Sequence, residues 1–243
     1  MLFEKFADDY ARFRPNYPAD LVKSLIAALN IGSDDLVLDL ACGTGQLGKS
    51  LRKLTRTAII GLDRSLMLVQ NNPHMPSLNA LAETQPIKSA SVNAVIVGQA
   101  FHWFNFGKAL GEIWRILKAR GGLAIVWYRR ARPLHGHHLW MDELLHRINP
   151  GHKNVFMDYD WPDILKEHGG FSGISKFETE HILKYSKADY LKLQRSKSYI
   201  GDALKETELT RFINEFGEIL TQEFPDGIVQ ERLQYFYVGA IKA

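Results

Sequence analysis

The chain has 243 residues, 46% of them hydrophobic and 23% charged, which is enough length and apolar content to bury a large core. Its formal net charge of +3 is scattered along the sequence instead of gathered into a basic stripe, which argues against a nucleic-acid partner. The single Cys42 excludes an intrachain disulfide and a cysteine-cluster metal site, the apolar runs are too short to span a bilayer as helices, and the opening MLFEKFADDYARFRP lacks the apolar stretch of a secretory signal, so a cytoplasmic protein is expected.

No repeat or low-complexity segment interrupts an alternation of short apolar runs with longer amphipathic stretches. Pro18 to Leu29 has helical spacing at Leu21, Leu25 and Leu29, and Asn30-Ile31-Gly32 stops it. Leu36 to Leu40 reads as a buried strand, Gln46 to Lys53 as a helix and Ala58 to Leu62 as a second strand. Val92 to Gly98 is another strand, Ala109 to Lys118 a helix with Leu110, Ile113, Trp114 and Leu117 on one face, and Gly122 to Tyr128 a further strand. Right-handed crossovers fold such a β-α-β series into a doubly wound, mostly parallel α/β sheet. Residues 129–174 and about 186–224 read as helical cap segments. Val229 to Ile241 suits a final strand, in a hairpin with one near Ser175 to His181. The whole is expected to be one domain over residues 1–243, with residues 1–20 as an N-terminal lid.

The most informative segment is Asp39-Leu40-Ala41-Cys42-Gly43-Thr44-Gly45-Gln46-Leu47-Gly48, which joins a strand to a helix through a turn of little side-chain bulk. Its Gly43, Gly45 and Gly48 satisfy the G-x-G-x-x-G spacing that lets backbone approach a nucleotide-like ligand, and a tight turn without a ligand produces the same spacing. Two carboxylates bear on the choice of ligand. Asp39 ends the first strand and Asp63 the second, where a carboxylate can accept hydrogen bonds from ribose hydroxyls. Asp63 suits NAD and S-adenosylmethionine alike, whereas Asp39 suits the ammonium of S-adenosylmethionine and would repel a pyrophosphate. The local alternatives are Asp39 satisfying backbone amides and Asp63 capping a helix that begins at Arg64.

Leu38 to Gly45 resembles the first motif of class I S-adenosylmethionine-dependent methyltransferases. Phe6 to Pro18 resembles the opening of a small-molecule branch that includes trans-aconitate methyltransferase-like enzymes. Ala82-Glu83 with Pro86, Ser91 to Val95, Gln99 to Phe104 and Gly121-Gly122 continue the similarity to residue 128, and Arg195 to Tyr199 matches more loosely. Asn93 stands where the family more often has an acidic residue. The resemblance implies a Rossmann-like seven-stranded sheet with an antiparallel C-terminal strand and a small helical cap, and methyl transfer from S-adenosylmethionine, with S-adenosylhomocysteine as product. It places Ala41, Gly43 and Gly45 against the methionine part, Asp63 on the ribose, Arg64 and Met67 beside the adenine, and Ala82 and Glu83 on the adenine edge, with Gln46 and Ala100 also among the cofactor-binding residues. Gln99 falls near the sulfonium, and Tyr10 and Arg14 in the lid.

A sulfonium already activates the methyl group, so positioning and exclusion of water dominate catalysis. Tyr17, Phe101, His102, Trp103 and Tyr128 are the expected acceptor walls, through aromatic faces that tolerate positive charge. His102 is the candidate general base, or else shapes the pocket, and a carboxylate acceptor would need no base. The acceptor is expected to be a small molecule, with an acidic metabolite preferred because Arg129, Arg130 and Arg132 follow the fifth strand. His135-Gly136-His137-His138 reads as a solvated cap loop and no metal is expected. The competing functions are a nicotinamide-dependent oxidoreductase and a non-catalytic S-adenosylmethionine-binding protein. The oligomeric state is not encoded in any of these motifs.

Overall fold

The computed structural model describes residues 12–132, 136–148, 159–201 and 203–243. The chain divides into two compact units, one of Asn16–Tyr128, Val155–Thr179 and Gln234–Ala243, the other of Met1–Pro15, Arg129–Asn154 and Glu180–Leu233. The first unit begins with α1 (Ala19–Ala28) and continues through β1 (Leu36–Leu40), α2 (Gln46–Arg52), β2 (Ala58–Asp63), α3 (Leu66–Gln70), β3 (Ser77–Asn79) and β4 (Val92–Gly98). A single 3-10 turn (Phe101–Trp103) leads to α4 (Phe106–Ile116) and β5 (Leu117–Arg130). Beyond β5 come α5 (Gly136–Ile148), α6 (Trp161–Glu167), β6 (Phe171–Ser186), α7 (Lys187–Arg195), α8 (Ser198–Gly201), α9 (Glu206–Glu223) and β7 (Ile228–Lys242).

The seven strands lie in the order β3-β2-β1-β4-β5-β7-β6, parallel from β3 to β5 with antiparallel strands at the C-terminal side, a Rossmann-like sheet. β1 and β4 are buried along almost their whole length because helices cover both faces, which is why they read as continuous apolar runs. Asp39 pairs in register with Gly61 on one side and Ile96 on the other, so the carboxyl ends of β1, β2 and β4 finish side by side. Between β1 and β4 the strand order reverses, and the crevice outside the carboxyl ends at that reversal is where open α/β sheets bind ligands.

The core of this unit corrects two sequence expectations. The buried face of α4 is Ala109, Leu110, Ile113 and Ile116, while Trp114 is 41% exposed and Leu117 already opens β5. Lys242 Nζ sits 3.9 Å over the Trp114 ring and donates to the carbonyls of Trp114 and Leu117, which satisfies the helix end where it meets the strand. The second correction concerns residues 129–174, expected to be cap throughout. Within them α6 belongs to the sheet unit: Trp161 stacks on Trp127 at 4.8 Å, and Trp161, Leu165 and Phe171 join the main core. Burial of these large side chains outweighs the sequence proximity of α6 to the cap. Asn93 accepts from Leu36 N and from Lys118 Nζ at the amino ends of the strands, which gives it a structural role on the side away from the carboxyl-end crevice.

The second unit has its own core, in which Phe13, Met141, Leu144, Tyr190, Leu193, Val229 and the Leu209, Phe212, Phe216 and Leu220 face of α9 are buried. Trp140 stacks on Phe216 at 5.3 Å. The expected final strand and its partner are present as β7 and β6, and the partner is longer than anticipated, reaching Phe171 and Ser186.

Candidate active site

The turn after β1 carries three left-handed residues in five, with φ of 55° at Ala41, 53° at Gly43 and 86° at Gly45. Gly45 is the residue that caps α2, and a side chain there would meet Asn72 Oδ1 at 2.5 Å. At Gly43 an added Cβ would meet no atom within 4 Å, so this residue presents bare backbone to open space. Hydrogen bonds hold the turn: Cys42 N donates to Leu62 O at 3.1 Å and Gly45 N to Cys42 O at 2.8 Å. Beneath it Asn72 Nδ2 donates to Ser77 Oγ at 3.1 Å, with the Cys42 thiol alongside. Burial pushes that thiol well above its ordinary pKa, and the carboxylates of Asp39 and Asp63 add to the effect, so it stays protonated and unreactive.

Both acidic residues are fixed by local bonds. Asp39, 1% exposed, accepts from Gly48 N at 2.9 Å. Its pKa is pushed up to about 7 because burial disfavours the charge; the Gly48 amide opposes that shift and Asp63 reinforces it. Asp63 accepts from Gly43 N at 2.9 Å through one oxygen and from Ser65 N at 2.8 Å through the other. Ser65, not Asp63, caps α3, accepting from Leu68 N. The local role considered for Asp39, satisfying a backbone amide, is therefore real, whereas Asp63 bonds the amides of Gly43 and Ser65 instead of capping the helix, and each carboxylate retains acceptor capacity beyond these bonds.

The neighbouring positions follow the strand ends. Gln99 adopts φ 58°, and its Nε2 donates to Tyr128 O at 3.0 Å, which ties the end of β4 to the end of β5. Ala100 accepts from Trp103 N to close the 3-10 turn. Gln46 accepts from Thr44 Oγ1 at 2.9 Å at the start of α2. Arg64 is exposed and Met67 half-buried on α3. Ala82 is buried, and Glu83 accepts from Asn105 N at 2.8 Å. Arg115 pins this turn by donating to Gln85 O and Ile87 O.

The aromatic residues separate into two groups. Tyr17 and Tyr128 approach to 6.1 Å between ring centroids, and the Tyr17 hydroxyl lies 2.6 Å from where a Cβ on Gly98 would stand, at the carboxyl end of β4. Tyr235, which the sequence did not single out, completes a triangle with them at 6.3 and 5.5 Å; its only sequence signal is its place in the alternation of β7. Phe101 is a correction: expected as a pocket wall, it is fully buried among Phe104, Phe106 and Trp161 and belongs to the core. Trp103 is 60% exposed, and His102 lies against it at 4.9 Å. Burial lowers the His102 pKa to about 4, so its imidazole is neutral at neutral pH.

Arg14 is half-buried and falls in the second unit; Tyr10 lies outside the described residues, as does most of the expected lid. In the basic stretch after β5, Arg130 is ion-paired with Asp142. The histidine run is also corrected. His135 lies outside the described residues, but His137 and His138 are buried on α5, hydrogen-bonded to Glu223 and Glu231, where a solvated loop had been expected.

Residues 38–125 match the family model of a methyltransferase domain, the span from β1 to β5 that builds this crevice. An uncharacterized methyltransferase of Schizosaccharomyces pombe is 28% identical over 200 residues, covering 79% of this chain and 77% of that one. An uncharacterized methyltransferase of Mycobacterium tuberculosis is 35% identical over 138 residues, covering 56% and 54%. Among solved structures, a type II methyltransferase candidate from Anaeromyxobacter dehalogenans superposes with a TM-score of 0.69 at 19% identity over 95% of this chain and 97% of its own. A phosphoethanolamine N-methyltransferase of Haemonchus contortus, solved with S-adenosylhomocysteine, shares the fold with a TM-score of 0.53 at 14% identity over 98% and 56%. The β1 to β5 segment thus matches a methyltransferase domain. The protein is a methyltransferase enzyme, and its methyl donor is S-adenosylmethionine.

Proposed function

We propose that the protein transfers the methyl group of S-adenosylmethionine to a small-molecule acceptor, with an acidic metabolite as the preferred class. The observation that carries the reading of the site is the open Gly43 backbone between the Asp39 and Asp63 carboxylates, at the strand reversal. In this reading the turn from Ala41 to Gln46 receives the methionine part, Asp39 its ammonium and Asp63 the ribose. Arg64, Met67, Ala82 and Glu83 border the adenine, and Gln99 and Ala100 stand near the sulfonium. The donor supplies a methyl group already activated for direct displacement. The protein's share is to orient the acceptor against it and keep water out, a task that suits Tyr17, Tyr128, His102 and Trp103. A histidine that protonates only near pH 4 is a weak base, which favours an acceptor that arrives ionised, as a carboxylate does.

Calorimetric titration with S-adenosylmethionine, S-adenosylhomocysteine and NAD tests the site. The two sulfur nucleosides are expected to bind, NAD not to bind, and Asp63→Ala to weaken the former. Binding of NAD alone would overturn the reading. A labelled methyl donor offered with carboxylates, amines and phenols then tests the acceptor, and label appearing only on amines would overturn the acidic preference.

A further inference from the structure

The second unit contains a buried polar cluster that methyl transfer does not require. His137 and His138 on α5 and Glu231 on β7 are 0%, 1% and 4% exposed, and one donor atom from each lies within 4.8 Å of the other two. We propose that these three residues form a binding site for one divalent transition-metal ion of the zinc type.

Two features distinguish the cluster from an ordinary buried ion pair. First, two imidazoles stand 3.9 Å apart between centroids with a carboxylate on each, where an ion pair needs only one of each. The Glu223 carboxylate accepts from His137 N at 2.7 Å and lies 2.8 Å from its Nδ1, which fixes the ring and assigns Nε2 as the ligand nitrogen. A carboxylate on the far nitrogen is the usual outer support of a metal-bound histidine. On the other side His138 Nε2 is 3.0 Å from Glu231 Oε2. Two ligands that far apart, each about 2.0 to 2.1 Å from one zinc, subtend close to a right angle at the ion, within reach of tetrahedral geometry after a small shift. The ion takes the place of the hydrogen bond between His138 and Glu231. The Tyr190 hydroxyl, which donates to Glu231, keeps the carboxylate oriented.

The charge around the cluster is compatible with a dication. Glu223 and Glu231 contribute two carboxylates; Lys197 and Arg130 act on Glu231 through space, and Arg130 is itself ion-paired with Asp142. Two imidazoles and one carboxylate suit zinc or cobalt better than magnesium or calcium, which take oxygen ligands.

The test uses the full chain, stripped with a chelator and titrated with Zn²⁺ by calorimetry and with Co²⁺ by visible absorption. One ion per chain is expected, with the intense visible bands of a four-coordinate cobalt site. His138→Gln and Glu231→Gln should abolish binding, and Glu223→Gln, at a partly exposed supporting residue, should weaken it by about 10-fold or more. His146→Gln, an exposed histidine on the same helix, should leave it unchanged. Circular dichroism of each metal-free variant separates lost binding from lost folding, and Glu223→Gln decides the matter if the ligand variants do not fold. No stoichiometric ion, or an affinity that Glu223→Gln leaves intact, would overturn the proposal and identify the cluster as a hydrogen-bonded pin.

Discussion

Gly43 and Gly45 are separated by one residue, yet substitution to alanine is expected to damage different properties. Both sit at positive φ, where a Cβ costs roughly 1–2 kcal/mol, and in both cases the less flexible unfolded chain returns about 0.4–1 kcal/mol. At Gly45 the new methyl would also stand 2.5 Å from Asn72 Oδ1, nearly 1 Å inside the 3.4 Å at which ordinary contact begins. Asn72 can yield only by giving up bonds to Ser77 Oγ and His74 N, each about 1 kcal/mol. Gly45→Ala should therefore lose about 2–4 kcal/mol of unfolding free energy. Gly43→Ala meets nothing and should lose no more than about 1.6 kcal/mol of stability, while its methyl enters the space assigned to the donor and lowers S-adenosylmethionine affinity on the order of 100-fold, near 2.7 kcal/mol. Urea denaturation and calorimetric titration of both variants measure the two quantities separately. Parent-like affinity in Gly43→Ala would refute the open-backbone argument, and a stability change below about 0.5 kcal/mol in Gly45→Ala would refute the strain argument.

Four further outcomes follow from the same geometry. Asp39 has a native pKa raised from 3.8 to about 7, so the folded state holds a proton that the unfolded state has lost. Its contribution to stability is present below the unfolded pKa and is lost as pH rises towards the folded value, and Asp39→Asn should flatten that slope in denaturation curves across the interval. The ionised form is the one that receives an ammonium, so S-adenosylmethionine affinity should fall as pH drops below about 7, with proton release on binding; a pH-independent affinity would contradict the pairing. Methyl transfer should show no inflection from His102 between about pH 5 and 9, since its imidazole is already neutral there, and an inflection near 6.5 that vanishes in His102→Gln would contradict its burial. Trp161→Ala removes a side chain that stacks on Trp127 and meets Phe101 edge-on, and should cost about 3–5 kcal/mol in urea denaturation; a smaller loss would place α6 outside the core.

The parts of the site legible in the sequence are those made by consecutive residues. Leu36 to Leu40 and Val92 to Gly98 are strands with the anticipated bounds, because strands buried on both faces leave an uninterrupted apolar run. The glycine turn and the positions of Asp39 and Asp63 follow from the same local pattern, since strand, turn and helix occupy one short stretch. The short β3 escaped notice, and α3 was anticipated only as a helix for Asp63 to cap, because three and five residues are too few to express a period.

What depends on distant residues had to wait for the tertiary structure. Phe101 and Trp103 are two residues apart in one aromatic motif, but α6 closes over Phe101 and leaves Trp103 exposed. Trp161 looked like cap because it follows the cap in sequence, and the gain from stacking on Trp127 drew it to the sheet. His137 and His138 looked solvated until β7 brought Glu231 to one and the end of α9 brought Glu223 to the other. A sequence records polarity residue by residue, whereas burial of a polar group becomes tolerable only when a partner arrives from elsewhere in the chain, and that partner is chosen by the fold.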